Sequence, residues 1–326
     1  MIDPVRSAQG RRSQPQSPSA AAAHRLDAAL AALSDNSRKA YRYAWTAWLR
    51  WTAEQQRPEF PAAAADVAEY LQARHAAGAA PATVYVACAA IAKMHQVARL
   101  TDPTVDNLCR DVLRRIGREG RDRGRGQVAG VGWEQAEAAA ACAEGAGTLQ
   151  GLRDGAIIRV MSDTLARISE AAALQCGDVE AETTTNGGTV HIRASKSDQL
   201  GAGATRYIGP ATRAAVGRYL AASGHTSGPL FRRVLCNGLS STKGLGADSI
   251  RKIVRQRVAV VADVMGRIGG HSLRVGSACE LAKAGASVAE LQQAGGWRSP
   301  ATPEIYIRRE VAARGPVARR RYQVGQ

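Results

Sequence analysis

The chain has 326 residues, enough for two domains with cores of their own if one domain takes roughly 100–200 residues. Its 44 Lys and Arg residues outnumber its 28 Asp and Glu residues, so the formal net charge is +16 and the pI is near 10.2. This charge predicts a polyanionic partner such as DNA or RNA. Membrane binding is disfavoured, because the sequence has neither a basic amphipathic anchor nor an apolar run near the ~20 residues of a membrane span.

The six cysteines are scattered through Ala-rich sequence and form neither a C-x-x-C motif nor a pairing with histidines. We therefore expect no zinc site and no disulfide framework. They are interpreted as small buried hydrophobes in a reducing, cytoplasmic compartment. The cysteines are Cys88, Cys109, Cys142, Cys176, Cys236 and Cys279.

The first half of the sequence predicts a disordered tail followed by a compact helical domain. Residues 1–33 are polar and contain Pro, Ser and Gln, a composition typical of disorder. From Ser34 onwards, apolar residues recur at helical spacing with basic residues between them, which predicts an amphipathic helix with its Trp residues in the core. Further helices are predicted at 64–74, 81–97 and 104–118, so the domain covers 34–118. The apolar stripe of the first helix is Tyr41, Trp45, Trp48 and Leu49.

Residues 119–132 are Gly-rich and basic and lack apolar periodicity, which predicts an exposed linker. Such a segment is either simply solvated or a basic strap that joins two lobes of a clamp around a duplex. The domain that follows, 133–326, begins with helices predicted at 134–146, 152–165 and 169–174. The pattern then alternates around Asn186-Gly187-Gly188 and again around 196–203, which predicts a small antiparallel sheet. After Pro210 we expect helices to the end, broken by loops near 223–228 and 236–246.

Several polar residues of this second domain can be grouped by chemistry. Arg167 lies in the apolar stretch TLARISEAAAL, where an unpaired charge is costly unless its guanidinium reaches an anion. His271 and Arg274 are three residues apart at a predicted helix start, where free N–H groups favour a phosphate. Lys196 lies in a turn between two strands, from which an ammonium can enter a cleft.

Two aromatic residues complete this set. Trp297 follows Gly295-Gly296 and offers one indole N–H donor. Tyr306 follows Thr302-Pro303, interpreted as a helix cap and a first-turn proline. A tyrosine is a weak nucleophile at neutral pH because its phenol titrates near ~10. Taken singly, each residue is more often a solvated charge or a core side chain, but the ordered set Arg, Lys, His-x-x-Arg, Trp, Tyr is more specific.

This ordered set resembles the active site of the tyrosine recombinase (phage integrase) family, in the subgroup with Trp where most members have His. The likeness runs through GGHSLRVGSACELAKAGASVAELQQAGGW, and SDNSRKAYRYAWTAWLRW is similar to the family's core-binding domain. The resemblance implies a mostly α fold with a small antiparallel β-sheet, arranged as a two-domain DNA clamp with an N-terminal helical, SAM-like core-binding domain. It also implies a bacterial, phage or plasmid origin and association with the nucleoid.

The resemblance also implies a role for each site residue. Arg167 and Arg274 would clamp the scissile phosphate, and His271 and Trp297 would donate to its oxygens. Lys196 would protonate the leaving 5′ oxygen, Tyr306 would attack, and Glu170 would support the site by hydrogen bonding. Double-stranded DNA with an inverted-repeat site would be the partner, with a dimer on each site and a homotetramer in synapsis.

Physical chemistry agrees with these roles. Planar guanidiniums match the oxygens of a phosphodiester bidentately, and nearby cations lower the pKa of a phenol, with His271 a candidate proton acceptor. We expect no cofactor: arginines would do the work of Mg²⁺, and the phosphotyrosyl bond would conserve the energy for rejoining, in keeping with the lack of a Walker P-loop.

DNA contacts are expected from exposed faces of three helices and from one lysine outside them. Phosphate contacts fix the register, whereas base readout requires helices in the major groove. The alternative interpretation of each face is that it is merely solvated. The candidate DNA-binding residues are Arg38, Lys39, Arg42, Thr83, Tyr85, Lys243, Arg251, Lys252 and Arg255.

Two other functions fit parts of the sequence. A type IB topoisomerase shares the chemistry but acts as a monomer with little sequence preference, and would relax a plasmid that lacks a specific site. A DNA-binding protein of the same fold that has lost catalysis would give a footprint without cleavage. The complete residue set favours the site-specific recombinase, and Pro300 and Pro303 before Tyr306 favour cleavage by each protomer's own tyrosine.

Overall fold

The structure is a computed structural model that describes residues 30–31, 33–122, 126–182, 184–193, 203–261, 264–313, 315, 317 and 320–321. The chain divides into two compact units, Met1–Gly126 and Gln127–Gln326. Both are mainly helical, and the second contains small antiparallel sheets, which confirms the predicted fold class. Most of the predicted N-terminal tail lies outside the described residues. No helix in the described part of the chain is long and apolar enough to cross a membrane.

The first unit is a helical bundle whose helix ends are set by local sequence. The Ser34 side chain accepts a hydrogen bond from the Ser37 amide at the first helix, and Asp106 accepts one from Leu108 at the last. Side-chain oxygens at these positions satisfy amides that lack a partner within the helix. Among the residues that the structure describes here, the helices with defined bounds are α1 (Asp35–Glu54), α2 (Ala64–Ala76), α3 (Pro81–Val97) and α4 (Asn107–Glu119), with a 3₁₀ turn at Pro103–Val105.

Aromatic packing forms the core of this unit, as the apolar stripe of α1 predicts. Trp48 is fully buried, its ring lies 5.1 Å from that of Tyr70, and its indole Nε1 donates to the Glu59 carbonyl at 2.9 Å. His95 is also fully buried. Its Nδ1 contacts the Ile91 carbonyl at 2.8 Å, and its Nε2 accepts from the Ala62 amide at 2.9 Å, an arrangement that needs the neutral ring.

The second unit wraps helices around one large apolar core and carries two small sheets. The first sheet has the order β1-β2-β3, with both pairs antiparallel, as predicted from the two turn signals. Its helices are α5 (Trp133–Gly145), α6 (Leu149–Thr164), α7 (Ile168–Ala173), α8 (Pro210–Ser223), α9 (Ala247–Val261), α10 (Ser272–Lys283), α11 (Val288–Gly295) and α12 (Ala301–Ala313). Its strands are β1 (Val179–Ala181), β2 (Gly188–Ile192), β3 (Ala204–Ile208), β4 (Arg232–Val234) and β5 (Ser240–Gly244).

Strands β4 and β5 correct the expectation of only helices and loops after Pro210. They pair as an antiparallel hairpin, with Arg232 opposite Gly244 and Val234 opposite Ser240. These strands are short and mostly polar, so their sequences give no alternating apolar signal. The loop expected at 236–246 therefore includes the turn and second strand of this hairpin.

The predicted linker is only partly exposed. Residues 127–132 belong to the second unit, and Val131 is fully buried there. The Ala129 amide donates to the Arg267 carbonyl at 3.0 Å, and the Val131 amide donates to the Ser272 carbonyl at 2.9 Å. The expectation of an exposed strap is thus wrong for this segment, which packs against the start of α10.

Candidate active site

The turn between α6 and α7 presents Arg167 and holds it with a carboxylate. Leu165 ends α6 in the left-handed conformation, with φ of 50°, so the chain reverses before Arg167 caps α7. Glu170 accepts from the Arg167 amide at 2.9 Å and from its guanidinium Nη1 at 2.5 Å. The Arg167 side chain keeps 19% of its surface exposed, whereas that of Glu170 is buried. One edge of the guanidinium is therefore fixed while another reaches solvent.

Arg274 comes from α10 and meets the same turn. Its Nη1 donates to the Leu165 carbonyl, and its Nη2 donates to the Gly295 carbonyl at 2.7 Å. The guanidinium carbon lies 4.1 Å from the centre of the Trp297 ring, within the range of a cation–π contact. The residue as a whole is only 1% exposed. Backbone carbonyls and an indole face thus hold a charged side chain inside the protein.

The surroundings of Arg274 contain an excess of positive charge. Burial, followed by the charge of Arg167, lowers the pKa of Arg274 to about 9, and Glu170 acts in the opposite direction. Within the described residues, the three guanidiniums of Arg167, Arg206 and Arg274 have Glu170 as their shared acidic neighbour. Because charges interact strongly where water is excluded, a bound anion would relieve this imbalance.

His271 stands directly before α10 and remains exposed. The partial burial of its ring lowers its pKa below the usual 6.5, and the charges of Arg274 and Arg167 lower the pKa further. The ring is therefore neutral at pH 7 and able to accept a proton. Arg251 of α9 also contributes to this lowering, which places its charge close to the same site.

Trp297 and Tyr306 lie side by side next to Arg274. Their ring centres are 5.9 Å apart, and both pack with Leu165 in a small apolar cluster. Tyr306 is half-buried on α12, and its main-chain oxygen is 3.5 Å from Cys279 Sγ on α10. The helix begins at Ala301, so the expectation that Thr302 caps it is wrong. Pro303 still lies in the first turn, where its missing N–H costs nothing.

The structure thus brings together six of the seven residues that the sequence placed in the site: Arg167, Glu170, His271, Arg274, Trp297 and Tyr306. The seventh, Lys196, lies outside the described residues. Within the described part of the chain, no group of three or more His, Cys, Asp or Glu residues could hold a metal ion.

Sequence reasoning missed Arg206 of β3. This residue is 6% exposed and donates from Nη1 to the Thr164 carbonyl at 2.7 Å and to Glu170 at 3.4 Å. Its Nη2 donates to the Gly295 carbonyl at 3.2 Å, the carbonyl that also accepts from Arg274. The alternation of β3 carried the signal, since Arg206 and Ile208 share the buried face.

The candidate DNA-binding residues lie on exposed helix faces with some exceptions. Arg38 is half-buried, and the Tyr85 hydroxyl donates to the Leu113 carbonyl at 3.3 Å. Arg251 is exposed but pairs with Asp248 one turn away. The remaining candidates are all exposed: Lys39 and Arg42 on α1, Thr83 on α3, Lys243 on β5, and Lys252 and Arg255 on α9.

The chain is similar to known proteins in sequence and in fold. Recombinase cre of Escherichia phage P1 is 29% identical over 277 residues, which cover 80% of each chain. The Tn1549 transposon integrase in complex with transposon right end DNA aligns with a TM-score of 0.62 over 90% of this chain and 98% of that chain. A lambda integrase dimer bound to a COC′ core site aligns with a TM-score of 0.58 over 88% and 94%. At 14% and 12% identity, these two structures show the shared fold alone.

Two family models cover most of the sequence. Residues 28–101 match the phage integrase N-terminal SAM-like domain, and residues 134–312 match the phage integrase family itself. The second match spans more than half of the chain and contains all seven residues of the predicted site. The chain therefore belongs to the phage integrase family, the site-specific tyrosine recombinases.

Proposed function

We propose that this protein cleaves and rejoins duplex DNA at a specific site through a 3′-phosphotyrosyl intermediate and a Holliday junction. The observation that carries the proposal is the convergence of Arg167 and Arg274, more than 100 residues apart in sequence, on one turn beside Tyr306. The protein would act as a homotetramer on two paired sites, with one dimer on each inverted repeat.

The scissile phosphate would be the anion that completes the charge balance of this site. A guanidinium has five N–H donors. Among the described residues, Arg167 commits one of them to Glu170, and Arg274 commits two to carbonyls. The donors that remain are held in place before the substrate arrives. Such preorganised donors are commonly worth about 3–4 kcal/mol each in a transition state that gains negative charge.

In the cleavage step, the phenolic oxygen of Tyr306 attacks phosphorus as the bond from phosphorus to the 5′ oxygen breaks. Neutral His271 accepts the phenolic proton, and Lys196 gives a proton to the leaving 5′ oxygen. The 3′ phosphate stays bound to Tyr306. In the reverse step, the 5′ hydroxyl of the partner strand attacks this phosphotyrosine and restores both a phosphodiester and a free tyrosine. Since the number of phosphoester bonds is unchanged, no ATP is required, and the guanidiniums of Arg167 and Arg274 would take the place of a metal ion.

DNA recognition would be shared by a core-binding domain at 34–118 and a catalytic domain that includes residues 127–132, which pack against α10, as well as 133–326. The relatives bound to DNA support duplex DNA as the partner. The exposed basic residues of α1 and α9 would contact phosphates and bases. In the first unit, a groove of about 300 Å³ lies between α1 and α3 and is lined by Tyr43, Arg74, Thr83 and Val86. The side chains that line this groove, together with the exposed face of Tyr85, would contact the DNA in its major groove.

A covalent-trapping assay tests the proposal. The target would first be selected from random duplexes, then nicked beside the cleaved bond so that a short fragment leaves and the covalent complex accumulates. We expect the wild-type protein to form a complex that survives denaturation, and Tyr306→Phe to form none. Tyr207→Phe is the matched control, because Tyr207 is half-exposed and its hydroxyl donates to the Thr185 hydroxyl rather than to any residue of the proposed site. A covalent complex in Tyr306→Phe would show that another residue is the nucleophile.

A further inference from the structure

Arg206 lies beneath the proposed phosphate site, and none of the roles assigned above uses it. Its guanidinium reaches three segments: the end of α6 through the Thr164 carbonyl, α7 through Glu170, and the end of α11 through the Gly295 carbonyl. Burying a charged guanidinium with such hydrogen bonds carries a free-energy penalty, because the charge loses its contacts with water. Burial accordingly lowers the pKa of Arg206, the charge of Glu170 raises it, and the charge of Arg167 lowers it again.

Two of the three acceptors of Arg206 also serve a site arginine, and the third directly precedes a residue that does. Glu170, the ion-pair partner of Arg167, lies between the two guanidiniums. The Gly295 carbonyl accepts from both Arg206 and Arg274. Thr164 directly precedes Leu165, whose carbonyl accepts from Arg274 in a left-handed turn. The left-handed conformation costs a leucine about 1–2 kcal/mol, so the turn needs outside contacts to persist.

We propose that Arg206 is a positioning residue for the DNA cleavage reaction: by bridging Thr164, Glu170 and Gly295, it fixes both Arg167 and Arg274 for the scissile phosphate. This inference rests on the proposed function. Arg206 itself is buried and makes no contact with the phosphate. A lysine in its place would keep the charge but could not hold three acceptors in one plane.

The test compares Arg206→Lys and Arg206→Met with Arg159→Met. Arg159 is a matched control, because it is also buried, at 7% against 6%, and pairs with Glu137 and Glu144 in the same unit. Single-turnover cleavage of the selected, nicked duplex is measured at saturating protein, together with the Kd for that duplex. We expect cleavage to fall at least about 100-fold in Arg206→Met and at least about 10-fold in Arg206→Lys, with Kd within about threefold of wild type.

A second substrate carries a neutral methylphosphonate at the scissile position. A neutral linkage needs less positive charge, so the defect of each Arg206 variant should shrink on it if Arg206 acts through the other arginines. Arg159→Met should lower the melting temperature but cleave both substrates at close to the wild-type rate. A folded Arg206→Lys protein that cleaves the natural linkage within about threefold of wild type would overturn the proposal.

A spectroscopic measurement separates this inference from the proposed function. In full-length protein labelled with ¹⁵N-arginine, the side-chain signal of Arg274 can be assigned with Arg274→Lys. We expect this signal to shift or broaden in Arg206→Lys without any DNA and to stay in place in Arg159→Met. An unchanged signal in Arg206→Lys overturns the positioning role whether or not the protein cleaves DNA. A changed signal in a protein whose wild type forms no covalent complex would retain the positioning role and reject the proposed reaction.

Discussion

Gly276 of α10 lies where the backbone of residues 127–132 crosses the helix that carries Arg274. A Cβ at this position would be 1.8 Å from the Val131 carbonyl oxygen, 2.2 Å from its carbon and 2.6 Å from its nitrogen. These are backbone atoms, so no rotamer change can relieve the clash. Gly276→Ala must therefore displace the segment. Displacement breaks the two backbone hydrogen bonds of Ala129 and Val131, worth together about 1–3 kcal/mol, and exposes the buried Val131 side chain, worth about 1.5–3 kcal/mol.

We expect Gly276→Ala to lower the free energy of unfolding of this unit by about 3–5 kcal/mol, or the melting temperature by roughly 10 °C. Thermal and urea denaturation of the full chain measure this change. Gly217→Ala is the matched control, because Gly217 is also inside a helix of the same unit and a Cβ there meets nothing within 4 Å. The control should be neutral or more stable by up to about 1 kcal/mol. Equal stability of the two variants would refute the packing of 127–132 on α10.

Three further outcomes follow from the structure. Because burial holds the folded pKa of His95 below 6.5, the contribution of His95 to the stability of the first unit should be constant above about pH 7. That contribution should fall by up to about 1.4 kcal/mol per pH unit below 6.5, and an NMR pKa at or above 6.5 would contradict this. Gly295→Ala places a Cβ 2.1 Å from the Trp297 ring, so trapping of the covalent complex should slow at least about tenfold. Lys252→Ala and Arg255→Ala should each reduce the slope of a plot of the logarithm of the DNA association constant against the logarithm of salt concentration by about 1. Arg213→Ala on α8 should leave this slope unchanged.

Side-chain patterns in the sequence were enough to predict the helical architecture, and the ordered polar residues together with the family resemblance pointed to six residues that the folded chain brings together. The aromatic stripe of α1 appears as a buried core around Trp48, and the turn at Asn186 joins paired strands. The ordered arginines predicted an anion site because an unpaired guanidinium inside an apolar stretch requires a partner. Arg167 and Arg274 indeed share neighbours in the folded chain.

The features that were missed depend on backbone geometry and on contacts between distant segments. Nothing local in the sequence shows that the carbonyls of Leu165 and Gly295 would both face Arg274. Val131 looked exposed because its neighbours are Gly-rich, and its burial depends on the missing side chain of Gly276 in another helix. Arg206 could have been found, since the strand alternation places a charged residue on a buried face.

The most direct measurement is to identify the covalent bond itself. The trapped complex on the selected, nicked duplex would be digested with protease and nuclease and analysed by mass spectrometry. The proposed mechanism predicts one modified peptide, in which Tyr306 carries a 3′-linked nucleotide and the released DNA strand ends in a 5′ hydroxyl. A modification on any other residue, or a link through the 5′ end of the DNA, would contradict it.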